Sequence, residues 1–517
     1  MASTHVIHYR NGRIGAGTDT TAEHLDAIIR ALKDDPERHL ILYFHGGLVN
    51  KKSGLALAER LGKQFQPLGT SAFYVWESGF LETLRNNFLE LFDEPVFKEL
   101  VRKLLEYALQ SLGGGSGGRS VVAAQVDASD VRQTVNELWT TGQIPYRDFR
   151  PSIEPDDKSK ATARAASMTL REDDIQADLE GDADFAAALA TLPSSTDRTR
   201  SAFGARGAVV RDTPFAQALS DEVSTAGDAR GIIDWMAIAV FVAKLLKRVI
   251  TRYMQGRDHG LYATVVEEIV RAIGIQGASL NELAKALEWN RMKKDTADAF
   301  GDEANRAGSA LLTRIADAIK RGEGPRRITL VGHSTGAIYI ARWLADADKR
   351  LPPEIKADVV FLAPAITYEL FDETLTKYGS RIGKFRSFAM RDELERVDQV
   401  WGDDPDLVEG KDLRRFVYPS SLLYLVSGVL EYRQGADEAD VPLVGLERHF
   451  SLADTYKGDS FQDVERVRAW LKADPSRLVW SKTEGNPAGL NSLSIDHGAF
   501  DDEPLTVASV LAILGNG

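Results

Sequence analysis

The sequence predicts an α/β fold: a mostly parallel sheet flanked by helices and interrupted by a large, mainly helical insertion. Three observations predict it. A strand–helix–strand rhythm runs through residues 39–76, stops for more than two hundred residues, and resumes at Arg327 with the same alternation. The 517 residues exceed the usual size of one domain, as expected for one large core plus an insertion. At 44% hydrophobic and 27% charged, the chain has the composition of a globular protein that can bury a sizeable core.

In chain order, residues 6–9 and 13–14 flank Asn11-Gly12, a pair that marks a two-residue hairpin turn. Residues 22–32 repeat apolar positions at helical spacing. The run 39–44 (HLILYF) reads as a strand buried on both faces and ends in His45-Gly46-Gly47-Leu48. A helix over 52–65 and a strand over 71–76 follow. From about 80 to about 308 only helical patterns and loops appear: 81–112, 232–254, 261–273 and 280–294 as helices, a glycine-rich linker at 113–118, and a polar stretch at 151–213. Strands return at 327–331, 358–362, 385–390 and 478–481, with a helix over 337–345. A last helix over 505–514 starts behind Asp502 and Pro504 and stops at Gly515. The chain thus divides into a first part of the core (1–79), the insertion (80–308) and a second part (309–517). The second part carries a smaller insertion at about 398–470, where the apolar segment 418–426 reads as a helix.

A formal charge of −13 argues against a nucleic-acid partner, because phosphate binding is driven by Lys and Arg. The absence of cysteine excludes disulfides, thiol catalysis and Cys-ligated metals, and suits a reducing compartment. No signal-peptide pattern opens the chain, so a cytoplasmic location is expected. The apolar run 235–243 (WMAIAVFVA), between Asp234 and Lys244, is shorter than the roughly 20 residues that span a bilayer. It reads as a buried helix; the basic residues after it keep open an interfacial lid helix in peripheral contact with a membrane. No metal-binding spacing is present, and the glycine run at 113–118 lacks the preceding strand of a dinucleotide site, so no cofactor is expected.

The chemistry centres on Gly332-His333-Ser334-Thr335-Gly336, a match to G-x-S-x-G. The expression alone is weak, since residues 114–118 also match it inside the linker. Only the copy at Ser334 follows a β-branched strand and opens a helix. A strand turning directly into a helix strains the central residue and pushes its side chain out of the sheet. Glycines two positions away let helix and strand pass. Ser334 is therefore the candidate nucleophile. The glycines after the strand at 39–44 let backbone N–H groups approach a substrate oxygen, so Gly46, Gly47 and Leu48, with Thr335, are the candidate oxyanion donors. His333 is read as a packed or hydrogen-bonding neighbour whose side chain points away from Ser334.

The strand-ending His-Gly-Gly, the Gly-His-Ser-Thr-Gly elbow and the order of elements resemble the α/β-hydrolase family, over roughly the first 80 and last 200 residues. The resemblance implies a hydrolase sheet, the insertion as its cap, and a triad in the order Ser, then Asp or Glu, then His. For the acid it points to Asp392, just past the strand at 385–390, with Glu393 and Glu395 as substitutes. For the base it points to His497, between the last strand and the final helix; His449 is the only other histidine after the acid. The implied activity is hydrolysis of a carboxylic ester, of a lipid or other apolar acyl substrate, by a serine esterase or lipase. A peptidase, amidase or thioesterase would use the same residues, and an effector whose insertion binds a protein partner is the alternative from another class.

Overall fold

In the computed structural model, residues 4–47, 51–76, 91, 94–113, 171–192, 213–223, 234–276, 289–402, 415–418, 420–431 and 439–515 are described. The strands are β1 (Thr4–Tyr9), β2 (His39–Phe44), β3 (Thr70–Trp76), β4 (Arg327–His333), β5 (Ala357–Leu362), β6 (Ile382–Ala389), β7 (Val400–Gly402), β8 (Arg415–Tyr418) and β9 (Leu478–Trp480). Seven of them form one sheet in the order β1-β3-β2-β4-β5-β6-β9, every neighbouring pair parallel. β7 and β8 form a separate antiparallel ribbon.

The helices of the first part are α1 (Ala22–Asp34) and α2 (Lys51–Phe65). Between β3 and β4 lie α3 (Pro95–Gly113), α4 (Glu172–Gly181), α5 (Ala183–Leu189), α6 (Pro214–Val223), α7 (Trp235–Met254), α8 (Leu261–Gln276), α9 (Trp289–Asp298) and α10 (Ala307–Lys320). Then come α11 (Gly336–Arg350), α12 (Tyr368–Tyr378), α13 (Asp392–Glu395), α14 (Leu422–Leu425), α15 (Glu447–Ser451), α16 (Gln462–Lys472) and α17 (Pro504–Gly515).

The strands alternate side chains between two cores. Leu40, Leu42 and Phe44 join α1, α10, α11 and α12 on one face, whereas Ile41 and Tyr43 meet α2 and α17 on the other. Burial on both faces explains why β2 is apolar throughout. The helices between β3 and β4 share the first of these cores, with α7 packed on α3, α4 and α8. The run 235–243 opens α7; Asp234 caps it by accepting the N–H groups of Met236 and Ala237, and Ile238, Phe241 and Val242 are buried. Among the described residues no helix is long and apolar enough to cross a membrane.

Asn11 and Gly12 make the expected two-residue hairpin turn, with φ of 48° and 72° and Arg10 and Arg13 exchanging both backbone hydrogen bonds across it (3.0 Å each), while β1 pairs in parallel with β3 at the sheet edge. One local expectation changes. The segment 418–426, expected as one helix, divides: Tyr418 ends β8, and α14 starts at Leu422 behind the capping hydroxyl of Ser421. Residues 114–118 of the linker and 280–288 of an expected helix lie outside the described residues.

Candidate active site at the crossover of the sheet

From β2 the chain passes through α2 to β3, and from β4 through α11 to β5, so it leaves these two adjacent strands in opposite directions and on opposite faces. Such a divergence opens a crevice at the C-terminal ends of the strands, the usual ligand position in parallel sheets. Gly46 and Ser334 lie just beyond these two ends; a Cβ on Gly46 would stand 3.2 Å from the Ser334 Cβ.

Ser334 has φ of 53°, a left-handed conformation that costs a non-glycine residue about 1–3 kcal/mol. The surroundings hold it there: its N–H donates to the Leu362 carbonyl (2.8 Å) and its carbonyl accepts the Ala365 N–H (3.0 Å). A Cβ on Gly332 would lie 2.7 Å from the Gly336 carbonyl carbon, and one on Gly336 only 2.2 Å from the Phe44 carbonyl oxygen. Both are backbone contacts, so the elbow requires both glycines.

His497 Nε2 lies 3.0 Å from Ser334 Oγ, joining residues 163 apart in sequence. Both side chains are buried, at 2% exposure for Ser334 and 5% for His497. Burial, reinforced by the nearby His333 charge, pushes the His497 ring down to about 3, leaving it in the unprotonated form that accepts a proton. Its Nδ1 is buried without a hydrogen-bond partner among the described residues. The carboxylate beside it is Asp398, whose Oδ2 accepts the His497 backbone N–H at 2.8 Å. Burial pushes Asp398 up to about 7, against the opposing effect of that N–H.

Asp392, the expected acid, is not brought to His497. It opens α13, and its buried carboxylate accepts the Tyr424 hydroxyl and the Arg448 guanidinium (3.2 Å), with Arg396 3.7 Å away. Burial would raise its pKa, but these partners outweigh that and hold it below the ordinary value. Glu393 pairs with Lys482 at the surface, and Glu395 is buried, with its pKa held well above the ordinary value by that burial. His449 is buried elsewhere: its Nδ1 accepts the Leu443 N–H, so its Nε2–H donates to Asp440 (3.0 Å). The sequence reading weighs Asp392, Glu393 and Glu395; Asp398, three residues further along the same crowded acidic segment, is the carboxylate that contacts His497.

Of the expected oxyanion donors, the Gly46 and Thr335 N–H groups have no hydrogen-bond partner among the described residues. The loop after β2 lies against the elbow, since a Cβ on Gly47 would stand 3.0 Å from Thr335 Oγ1. Leu48 lies outside the described residues. His45 fixes the turn: its Nε2 accepts the Trp76 N–H, so its Nδ1–H donates to the Gly46 carbonyl (2.5 Å), while its ring stacks on Trp76. Burial pushes His45 down to about 4, and it stays neutral. A pocket of about 430 Å³ opens onto Ser334 and His497, bordered by Ala56, Leu57 and Arg60 of α2 and by Asp502.

His333 turns away from Ser334. Its Nε2 faces the His497 carbonyl (2.9 Å) and its Nδ1 faces Asp501 Oδ2 (3.2 Å), which also accepts the Tyr43 hydroxyl (3.0 Å).

No protein-family model, no curated protein and no solved structure matches the chain.

Proposed function

We propose that the chain is a serine hydrolase of α/β-hydrolase architecture, with residues 80–308 as its helical cap, and that it cleaves a carboxylic ester. The observation that carries this reading is the 3.0 Å contact between Ser334 Oγ and His497 Nε2 at a strained strand-to-helix turn. In the proposed reaction His497 takes the Ser334 proton as Oγ attacks the ester carbonyl. The Thr335 and Gly46 N–H groups, with the Gly47–Leu48 loop, stabilise the oxyanion, and His497 then protonates the departing alcohol. Water, deprotonated by the same ring, releases the acid and restores Ser334. Asp398 replaces Asp392 as the acid: a side-chain rotation would bring its carboxylate from the His497 N–H to the unpartnered Nδ1, where it orients and stabilises the imidazolium. Ala56 and Leu57 on the pocket wall favour an apolar acyl or alcohol group.

A fluorophosphonate probe tests the reading. It should label the wild-type chain and not Ser334→Ala; equal labelling of both, or none of either, refutes it. A chain-length series of nitrophenyl esters then tests apolar preference, since each buried CH₂ adds about 0.8 kcal/mol. Matched amides and thioesters distinguish an esterase from a peptidase or thioesterase using the same residues.

A further inference from the structure

We propose that His333 is a positioning residue for the base: as an imidazolium held between the Asp501 carboxylate and the His497 carbonyl, it fixes the loop that carries the His497 ring and sets a positive charge beside that ring. The inference rests on the reading of Ser334 and His497 as nucleophile and base.

The geometry sets the protonation of His333. Both ring nitrogens face acceptors, the His497 carbonyl and the Asp501 carboxylate, and neither acceptor brings a proton when Asp501 is ionised. Both nitrogens therefore carry hydrogen. His333 and Asp501 are each 5% exposed, and Asp501 is kept ionised by more than this ring: Tyr43 donates to its carboxylate, and Arg60 lies 3.6 Å from it while donating to its backbone carbonyl. Burial alone would lower the His333 pKa, but the Asp501 hydrogen bond and charge raise it above the ordinary value. The remaining ionisable groups facing His333 are the neutral His45 and the more distant Asp496.

The consequence falls on His497. The two rings are 5.5 Å apart, and the groups around the base are Ser334, His333, Asp398 and Asp501. A unit charge at this distance in a partly screened interior moves a pKa by about one to two units. The hydrogen bond to the His497 carbonyl meanwhile ties the elbow to a loop 164 residues further along the chain. One side chain thus holds the loop that carries the base and adds its charge to the burial that keeps the ring unprotonated, and this accounts for a histidine beside the nucleophile whose ring points away from it.

The test is histidine side-chain NMR on the full chain, with His497 assigned by its loss in His497→Gln. His333→Gln removes the charge and keeps an N–H donor for the carbonyl. The His497 pKa should rise by about one unit or more. Asp501→Asn, which neutralises His333 by removing its partner, should raise it less, and serves if His333→Gln does not fold. A purely structural role would lower the melting temperature and leave the His497 titration unchanged; an unchanged titration in the folded variants overturns the inference. Phosphonate labelling of Ser334 separates the two proposals. A shifted titration without labelling in the wild type sinks the hydrolase reading, and labelling without a shift sinks the role of His333.

Discussion

Asp398 holds the backbone N–H of His497 at 2.8 Å, while the buried Nδ1 of the same residue has no partner among the described residues. A buried donor with no acceptor costs about 1–3 kcal/mol, which a carboxylate brought to Nδ1 would offset. On the proposed reading the base gains a charge during reaction, and Nδ1–H needs its acceptor most when Nε2 is protonated.

Asp398→Asn should therefore lower kcat by about 10²–10⁴-fold with little change in KM, because an amide cannot stabilise the imidazolium. Steady-state kinetics on a nitrophenyl ester checks this. Since burial lifts Asp398 to about 7, kcat/KM of the wild type should fall as pH drops through that value, and the limb should vanish in the variant.

The same carboxylate should weaken the fold. Its folded pKa lies above its unfolded one, so between about pH 4 and 7 the native state holds a proton that the unfolded chain releases, and stability falls as pH rises across that window. Asp398→Asn should raise denaturation stability at pH 8, by on the order of 1–3 kcal/mol, and give no gain below pH 4. A gain independent of pH would contradict this.

Asp392 should behave in the opposite way. Its folded pKa is depressed, so the stability it adds is present above the unfolded carboxylate value and is lost as pH falls through the folded one. Arg448→Met leaves this carboxylate buried without its guanidinium and should cost about 3–5 kcal/mol. The variant that remains folded should still react with the phosphonate, since neither residue touches Ser334 or His497. Loss of labelling without loss of stability would show that the pair serves the site instead of the fold.

The sequence made the sheet legible because strands buried on both faces leave unbroken apolar runs, as in β2 and β5. The elbow was legible because its glycines answer to backbone contacts that no other residue fits, at Gly332 and Gly336. The carboxylate that meets His497 was not. Which of the acids from Asp392 to Asp398 turns inward depends on α13 and on Arg448 and Tyr424, side chains that arrive from a later insertion. Partners 32 and 56 residues away leave no local pattern. The ribbon of β7 and β8 escaped for a related reason, since its strands are short and pair only with each other.

The strain at Ser334 yields another expectation. Glycine adopts φ of 53° freely, so Ser334→Gly should relieve part of the cost and raise stability by about 1 kcal/mol, after its own backbone entropy is deducted. Ser334→Ala, which keeps the strain, should leave the melting temperature near that of the wild type, and both should lose all labelling. A lower melting temperature for Ser334→Gly would mean that the hydroxyl contact with His497 outweighs the strain.

The two loops that meet at the crevice should differ in how they tolerate an added methyl group. Gly336→Ala would drive a Cβ to 2.2 Å from the Phe44 carbonyl oxygen, a backbone atom of a central strand that cannot yield. It should cost several kcal/mol, about 3 or more, and remove activity by unfolding. Gly46→Ala places its Cβ 3.2 Å from the Ser334 Cβ, a contact that a shift of a few tenths of an ångström accommodates. Its stability should stay within about 1 kcal/mol of the wild type. Its activity should fall, because the shift moves either the nucleophile or the Gly46 N–H away from the reacting carbonyl, and misplacing one oxyanion donor costs about 10²–10³-fold in kcat. Parallel thermal melts and phosphonate labelling rates on the two variants check both halves. If Gly46→Ala labels at the wild-type rate and hydrolyses esters normally, the loop after β2 contributes no donor, and the oxyanion must be held by Thr335 alone.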